Sequence, residues 1–291
     1  MLCTKVQSAY GKVGKALKIF SFPKPRLEQS VIPAQNSHME TTVELHTTER
    51  GQGPLALIFL HYFGGSAKEW QAVTEQLAAK YRCIAVDLRG HGNSPAPESG
   101  YSVDDMTDDV SAMLEQLRVS SFVLIGHSMS GKIALNLASR QPVGLQQVLL
   151  VSPSPPHPEP IPDKDREDML KTHGTEQAAI KTFENITAKP VSEADRQQII
   201  TDNLRTSKVA WDAWLTLGSK EDIADRMSRV VVPVSIIAGN ADNALSPEVQ
   251  PELTLPTLPN ATFELLDGSG HLPTYEMPDA LTNFILKKIA G

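Results

Sequence analysis

The 291-residue chain carries only two cysteines, Cys3 and Cys83, far apart in sequence, with Cys83 inside an apolar run. That excludes a disulfide or metal framework as the source of stability and fits a reducing compartment. No apolar run approaches the length of a membrane span. Positive charge is in deficit: 27 Lys and Arg face 34 Asp and Glu, a formal net charge of −7. Such a balance keeps a protein soluble and argues against a nucleic-acid partner. There is no internal repeat, and no low-complexity tract beyond one proline cluster. A secretory signal is disfavoured, because no continuous apolar core is followed by a small-residue cleavage site. These absences leave a soluble globular protein, expected in the cytoplasm. Its length suits one enzyme-sized domain with an insertion, or two small domains.

Residues 1–38 differ from the rest. Lys5, Lys12, Lys15, Lys18, Lys24 and Arg26 precede the first acid, Glu28. Val6, Tyr10, Val13, Leu17 and Phe20 recur at helical spacing, which predicts a basic amphipathic helix, weakened by Gly11 and Gly14. Three readings compete: a targeting-like segment, an accessory helix, or a non-native extension. The last draws on Ser37-His38-Met39, which resembles an expression-vector scar and would make Met39 the native start.

From Met39 the pattern becomes regular. Thr42–His46 alternates like a half-buried strand, and Glu49–Pro54 has the Gly and Pro content of a turn. Leu55–Leu60, Arg82–Asp87, Ser121–Ile125 and Gln147–Val151 are continuous apolar runs of the kind buried on both faces of a parallel sheet. Helices are expected over Ser66–Lys80, Ser102–Leu117 and the stretch after Ser128. Strands return at Val232–Ala238 and Thr262–Leu266, and Pro278–Ile289 closes the chain as a helix. This alternation predicts a mostly parallel, doubly wound α/β sheet. Residues 152–229 interrupt it: a proline cluster from Pro153 to Pro162 gives way to polar helical stretches around 164–171, 176–184, 192–204 and 208–217. An all-helical insertion at that point reads as a cap. The core is then 39–151 and 230–291.

Gly126-His127-Ser128-Met129-Ser130-Gly131 joins a buried strand to a helix through a turn of small residues. Such a turn points the Ser128 hydroxyl away from the sheet and aims the Met129 N–H at any anion formed beside it. A five-residue pattern of this kind also arises by chance, so context decides. In an open α/β sheet the site forms beyond the carboxyl ends of the strands. There the chain delivers His61-Tyr62-Phe63-Gly64-Gly65, Asp87-Leu88-Arg89-Gly90-His91-Gly92, Ser128, Gly239-Asn240-Ala241-Asp242 and Asp267-Gly268-Ser269-Gly270-His271.

Over residues 40–291 these stretches, in this order, resemble the α/β-hydrolase family. The resemblance implies a nucleophile elbow at Ser128, an acid at Asp242, a base at His271 and oxyanion donors in the backbone N–H groups of Phe63 and Met129. The chain departs from the family pattern twice. Ser130 stands where the last elbow glycine belongs, with Gly131 one place late, and Tyr62 stands where the oxyanion loop usually has glycine.

Each residue type suits its role. A serine hydroxyl needs a base to become a nucleophile, histidine titrates near working pH, and a carboxylate fixes its tautomer. The plain alternatives are a loop histidine at 271 and a helix-capping Asp242. Asp267 is the rival acid, although its nearness to His271 in sequence suits it to the turn. The other histidines (His38, His46, His61, His91, His127, His157, His173) lack metal-ligand spacing and read as structural. Neither a cofactor nor a metal is expected. Ala210, Ala213, Trp214 and Leu217, with Trp211 beside them, form an apolar stripe that is either core or an acyl slot; Trp211, Trp214 and Tyr62 are the candidate substrate contacts.

A serine rather than an aspartate at the elbow disfavours haloalkane dehalogenase and epoxide hydrolase chemistry. The expected activity is hydrolysis of a small or medium carboxylic ester or lactone through an acyl-serine. Carbon–carbon bond hydrolysis and cofactor-free haloperoxidase or perhydrolase activity use the same triad. A ligand receptor or interaction protein on a hydrolase scaffold is the alternative of another class.

Overall fold

The computed structural model describes residues 42–290. The expectations for residues 1–38 and for a start at Met39 lie outside the described residues. Seven strands form one sheet: β1 Thr47–Arg50, β2 Ala56–Leu60, β3 Arg82–Val86, β4 Phe122–His127, β5 Leu145–Val151, β6 Val234–Gly239 and β7 Thr262–Leu266. Their spatial order is β1-β3-β2-β4-β5-β6-β7, and only the β1–β3 pair is antiparallel.

The period of two along a strand sends alternate side chains to opposite faces. Ile58, Leu60, Leu124, Val148 and Leu150 join one core, with α2 (Val103–Gln116) and α3 (Met129–Ser139) laid over it. Leu57, Phe59, Val123, Ile125, Leu149 and Val151 join the other, covered by α1 (Gln71–Leu77) and α9 (Pro278–Ala290). Burial on both faces is why these strands are continuous apolar runs. At the N-terminus of α2, Ser102 accepts from the Asp105 N–H while Asp105 accepts from the Ser102 N–H, a capping box that fixes where the helix begins.

Between β5 and β6 the regular elements are helical: α4 Asp163–Thr172, α5 Glu176–Ile186, α6 Glu193–Arg205 and α7 Lys208–Thr216, followed by short 3-10 turns. Ser192 and Ser207 cap α6 and α7 through their hydroxyls. Three local expectations change; one is the turn expected from Glu49, which begins only after Arg50 because Glu49 and Arg50 belong to β1. The first strand lies at Thr47–Arg50, not Thr42–His46, because N–H groups of the earlier stretch bond to side chains: the Val43 N–H donates to Asp109 Oδ1 and the His46 N–H to Ser94 Oγ, both at 2.8 Å, while the His46 carbonyl accepts from the Asp87 N–H at the margin of the ladder. The expected helix from Ser66 opens as a 3-10 turn over Ala67–Trp70 before α1.

The chain steps from β2 outward to β3, then returns past β2 to β4. This reversal opens a crevice at the carboxyl ends of β2 and β4, which lie side by side with Leu60 opposite Gly126. The loop after β2 and the turn after β4 therefore meet there.

Candidate active site

Ser128 follows β4 directly and opens α3 with φ 52° and ψ −119°. A non-glycine residue held in that region costs about 1–3 kcal/mol and persists only where its surroundings over-determine it. Here the Ser128 N–H donates to Val151 O at 2.9 Å, and its carbonyl accepts from Gly131 N at 2.8 Å and Ser154 N at 2.9 Å. The turn also needs bare backbone at two points. A Cβ on Gly126 would stand 2.6 Å from Ser130 O, and one on Gly131 would stand 2.4 Å from Pro153 Cβ. The second contact accounts for the displaced glycine. Position 131 faces the chain leaving β5, whereas position 130 has room for a side chain: Ser130 is fully buried, and its hydroxyl donates to the His61 carbonyl across the β2–β4 crevice.

His271 lies in the loop between β7 and the short α8 (Pro273–Glu276). Its Nε2 is 2.8 Å from Ser128 Oγ, and its Nδ1 is 2.7 Å from Asp242 Oδ2. Because a carboxylate only accepts, Nδ1 carries the hydrogen and Nε2 is free to receive the serine proton. Burial alone would lower the His271 pKa; the charge and hydrogen bond of Asp242 outweigh it and hold the imidazole above its ordinary value. Burial likewise opposes ionisation of Asp242, but His271 and the Leu245 and Ala244 N–H groups keep its carboxyl below the usual range. Asp267 lies elsewhere: its Oδ1 accepts from Asn240 Nδ2 at 2.8 Å.

The loop after β2 is held by its own histidine. His61 Nδ1 donates to Tyr62 O at 2.7 Å, and its Nε2 accepts from the Leu88 N–H at 3.0 Å. The Ala67 N–H donates to Asp87 Oδ1 at 2.7 Å, and Ser66 Oγ donates to Asp202 Oδ2 on α6 at 2.7 Å. Phe63 of this loop packs under α7, with its ring centroid 4.3 Å from that of Trp211 and 6.4 Å from that of Trp214. Both tryptophans are buried, and Trp211 Nε1 donates to Met169 O. Tyr62 is buried too, its ring 5.4 Å from that of His127.

Two charged side chains that sequence reasoning did not single out are committed here. Lys132 on α3 is fully buried, and its Nζ donates to His157 O at 3.0 Å and Glu221 O at 2.8 Å, tying α3 to both ends of the helical stretch. Burial lowers its pKa to about 8. Glu276 accepts from four main-chain N–H groups: Gly270 at 2.8 Å, Leu272 at 3.2 Å, Ala188 at 3.1 Å and Lys189 at 2.9 Å. Two of these flank His271, and the other two follow α5. Neither role has a local sequence signature, since every partner but Leu272 and Gly270 is remote.

Among the described residues, no helix is long and apolar enough to cross a membrane. A sequence model of the alpha/beta hydrolase fold matches residues 56–188. The chain is 25% identical to 2-(acetamidomethylene)succinate hydrolase of Mesorhizobium japonicum, over 84% of this chain and 92% of the relative. Among solved structures it superposes on a bromoperoxidase from Bacillus anthracis with a TM-score of 0.78 at 23% identity, covering 87% of this chain and 97% of that one. An esterase from Exiguobacterium antarcticum gives 0.78 at 20% identity, covering 86% and 96%. At these identities the structural likeness speaks for the fold.

Proposed function

We propose, from the premise that this chain belongs to the α/β-hydrolase fold superfamily, that it is a serine hydrolase of small or medium carboxylic esters or lactones. The observation that carries the reading is the continuous contact from Ser128 Oγ through the His271 ring to Asp242, with Ser128 held at a strained turn.

In this reading Ser128 Oγ attacks the ester carbonyl carbon while His271 Nε2 takes its proton. The developing oxyanion is received by the N–H groups of Phe63 and Met129, each worth about 2.7–4 kcal/mol by analogy with measured removals. Collapse of the tetrahedral intermediate breaks the C–O bond, and the protonated His271 returns its proton to the leaving alkoxide. Water then attacks the acyl-serine, with His271 again as base, and releases the carboxylic acid. Asp242 holds the Nδ1–H tautomer and stabilises the imidazolium. Residues 152–229 act as a cap over the strand ends, where Trp211 and Trp214 seat the oxyanion residue Phe63 and bound the acyl slot.

The test is a panel of p-nitrophenyl esters of graded acyl length, simple lactones and diketo acids, with a perhydrolysis assay run beside it. Ester or lactone turnover that titrates away with a serine-directed phosphonate supports the reading. Cleavage of diketo acids alone transfers the same residues to carbon–carbon hydrolysis. A single acyl-enzyme burst without turnover indicates a receptor.

A further inference from the structure

The residue before the nucleophile is joined to the base. His127, the last residue of β4, has Nε2 2.8 Å from the main-chain carbonyl of His271, and its Nδ1 lies 3.0 Å from Glu69 Oε2. The side chains of His127 and Glu69 are both 0% exposed. The His127 ring is boxed by Tyr62, Trp70 and His271, with centroids 5.4, 6.1 and 5.3 Å away. Glu69 is set by the 3-10 turn Ala67–Trp70, which Ser66 caps.

A carbonyl oxygen only accepts, so His127 Nε2 carries a hydrogen. Two arrangements then remain: an imidazolium facing a Glu69 carboxylate, or a neutral imidazole accepting at Nδ1 from a Glu69 carboxylic acid. Among the described residues no donor reaches Glu69 Oε1 at full hydrogen-bonding geometry, although the Tyr62 N–H lies near enough to the carboxyl to lower its pKa. A dry carboxylate with one oxygen unpartnered is costly, whereas the neutral pair keeps both hydrogen bonds without buried charge. Burial pushes the Glu69 carboxyl well up, against the lowering effects of His61, the Tyr62 N–H and His271, with Asp202 adding to the rise. Burial also lowers His127 to about 3, with the His271 ring charge adding to it and the hydrogen bond to the His271 carbonyl, Asp242 and Glu276 opposing. Both directions favour the neutral pair.

We propose that Glu69 and His127 are positioning residues for the base: a carboxyl hydrogen on Glu69 Oε2 fixes the His127 ring, and the His127 Nε2–H holds the His271 main chain. The His271 N–H is meanwhile taken by Ile186 O at 2.9 Å, so both backbone groups of the base are pinned. Because His127 adjoins Ser128, this bond sets the separation of nucleophile and base directly. The inference rests on the serine-hydrolase reading above.

The test uses Glu69→Gln and Glu69→Leu in the full chain. An amide presents an N–H donor to His127 Nδ1 and a carbonyl at the other position, as the neutral acid does, so Glu69→Gln stays within about twofold of wild type in kcat. Glu69→Leu removes the donor, and kcat and the rate of phosphonate labelling fall together by about 10–100-fold with KM little changed. Infrared difference spectra of wild type against Glu69→Gln show a protonated-carboxyl stretch that persists from pH 6 to 9, a readout independent of how the leucine variant folds. Wild-type kcat and labelling in Glu69→Leu, or a carboxylate band in place of the protonated one, overturn the proposal. Failure of wild type itself to be labelled would instead strike the serine-hydrolase reading.

Discussion

Asp242 divides its carboxylate between His271 and its own turn: Oδ2 meets His271 Nδ1 at 2.7 Å, while Oδ1 accepts from the Ala244 and Leu245 N–H groups, both at 2.9 Å. No helix opens at Asp242, so Oδ1 closes a local turn instead of capping a helix, and Oδ2 is left to meet His271. Asp242→Asn keeps the shape but disturbs the tautomer and removes the charge, and the expected loss in kcat is about 10⁴-fold, on the scale seen for such a replacement in a serine protease. Asp267→Asn, which still offers an acceptor to Asn240, keeps kcat within about twofold, since surface changes of this kind cost little. Steady-state kinetics on both variants decide between the carboxylates.

The pH profile follows from the same pair. His271 must be neutral to act as base, and Asp242 holds its pKa above the ordinary imidazole value. Activity therefore rises with pH, along an acid limb displaced upward from an unperturbed histidine. Removing the Asp242 charge leaves burial as the dominant influence, so in Asp242→Asn the limb of the residual activity moves to lower pH. A kcat/KM profile of both proteins checks the direction.

Ser130→Gly installs the glycine usual in the elbow pattern that this stretch resembles and so isolates what the serine adds. The variant loses the Ser130 hydroxyl that donates to the His61 carbonyl and gains backbone freedom in α3. The expected cost is about 1–3 kcal/mol of stability, read from denaturant midpoints. On the proposed function a several-fold drop in kcat should accompany it, because the loop after β2 loses its tie to the turn after β4.

Glu276→Gln replaces two acceptor oxygens by one and turns an amide N–H toward main-chain donors. Bonds to a charged acceptor are the stronger kind, about 1.5–3 kcal/mol each. With one oxygen and the charge gone, the N–H groups that Oε1 and Oε2 now share around His271 and after α5 are held by a single neutral acceptor, and kcat should fall by about tenfold or more, with the thermal midpoint falling too. Unchanged kinetics would show that the base loop holds itself.

Much of the fold was legible because strands buried on both faces are continuous apolar runs and the serine caps stand next to their helices. Leu57 and Ile58 reveal a buried strand before any partner is known. Thr47–Arg50 was not legible: a polar four-residue edge strand has no apolar face, and its ladder depends on β3 being in place. At the site, Ser128, Asp242 and His271 could be named because each sits at a strand end in a recognisable stretch. Lys132, Glu276 and Glu69 could not. A buried lysine or carboxylate looks like any surface charge until the chain supplies the carbonyls of His157 and Glu221, the N–H groups of Ala188 and Lys189, or the His127 ring. Trp211 and Trp214 read ambiguously as core or slot; both are buried and pack on Phe63.

The most direct test is reaction of wild type and Ser128→Ala with a p-nitrophenyl alkylphosphonate, followed by intact-mass and peptide analysis beside ester turnover. One adduct per chain on the Ser128 peptide, with turnover lost in step and a drop of about 10⁴-fold or more in Ser128→Ala, is the predicted result. An adduct elsewhere, or undiminished turnover in a folded Ser128→Ala protein, contradicts the assignment of the nucleophile.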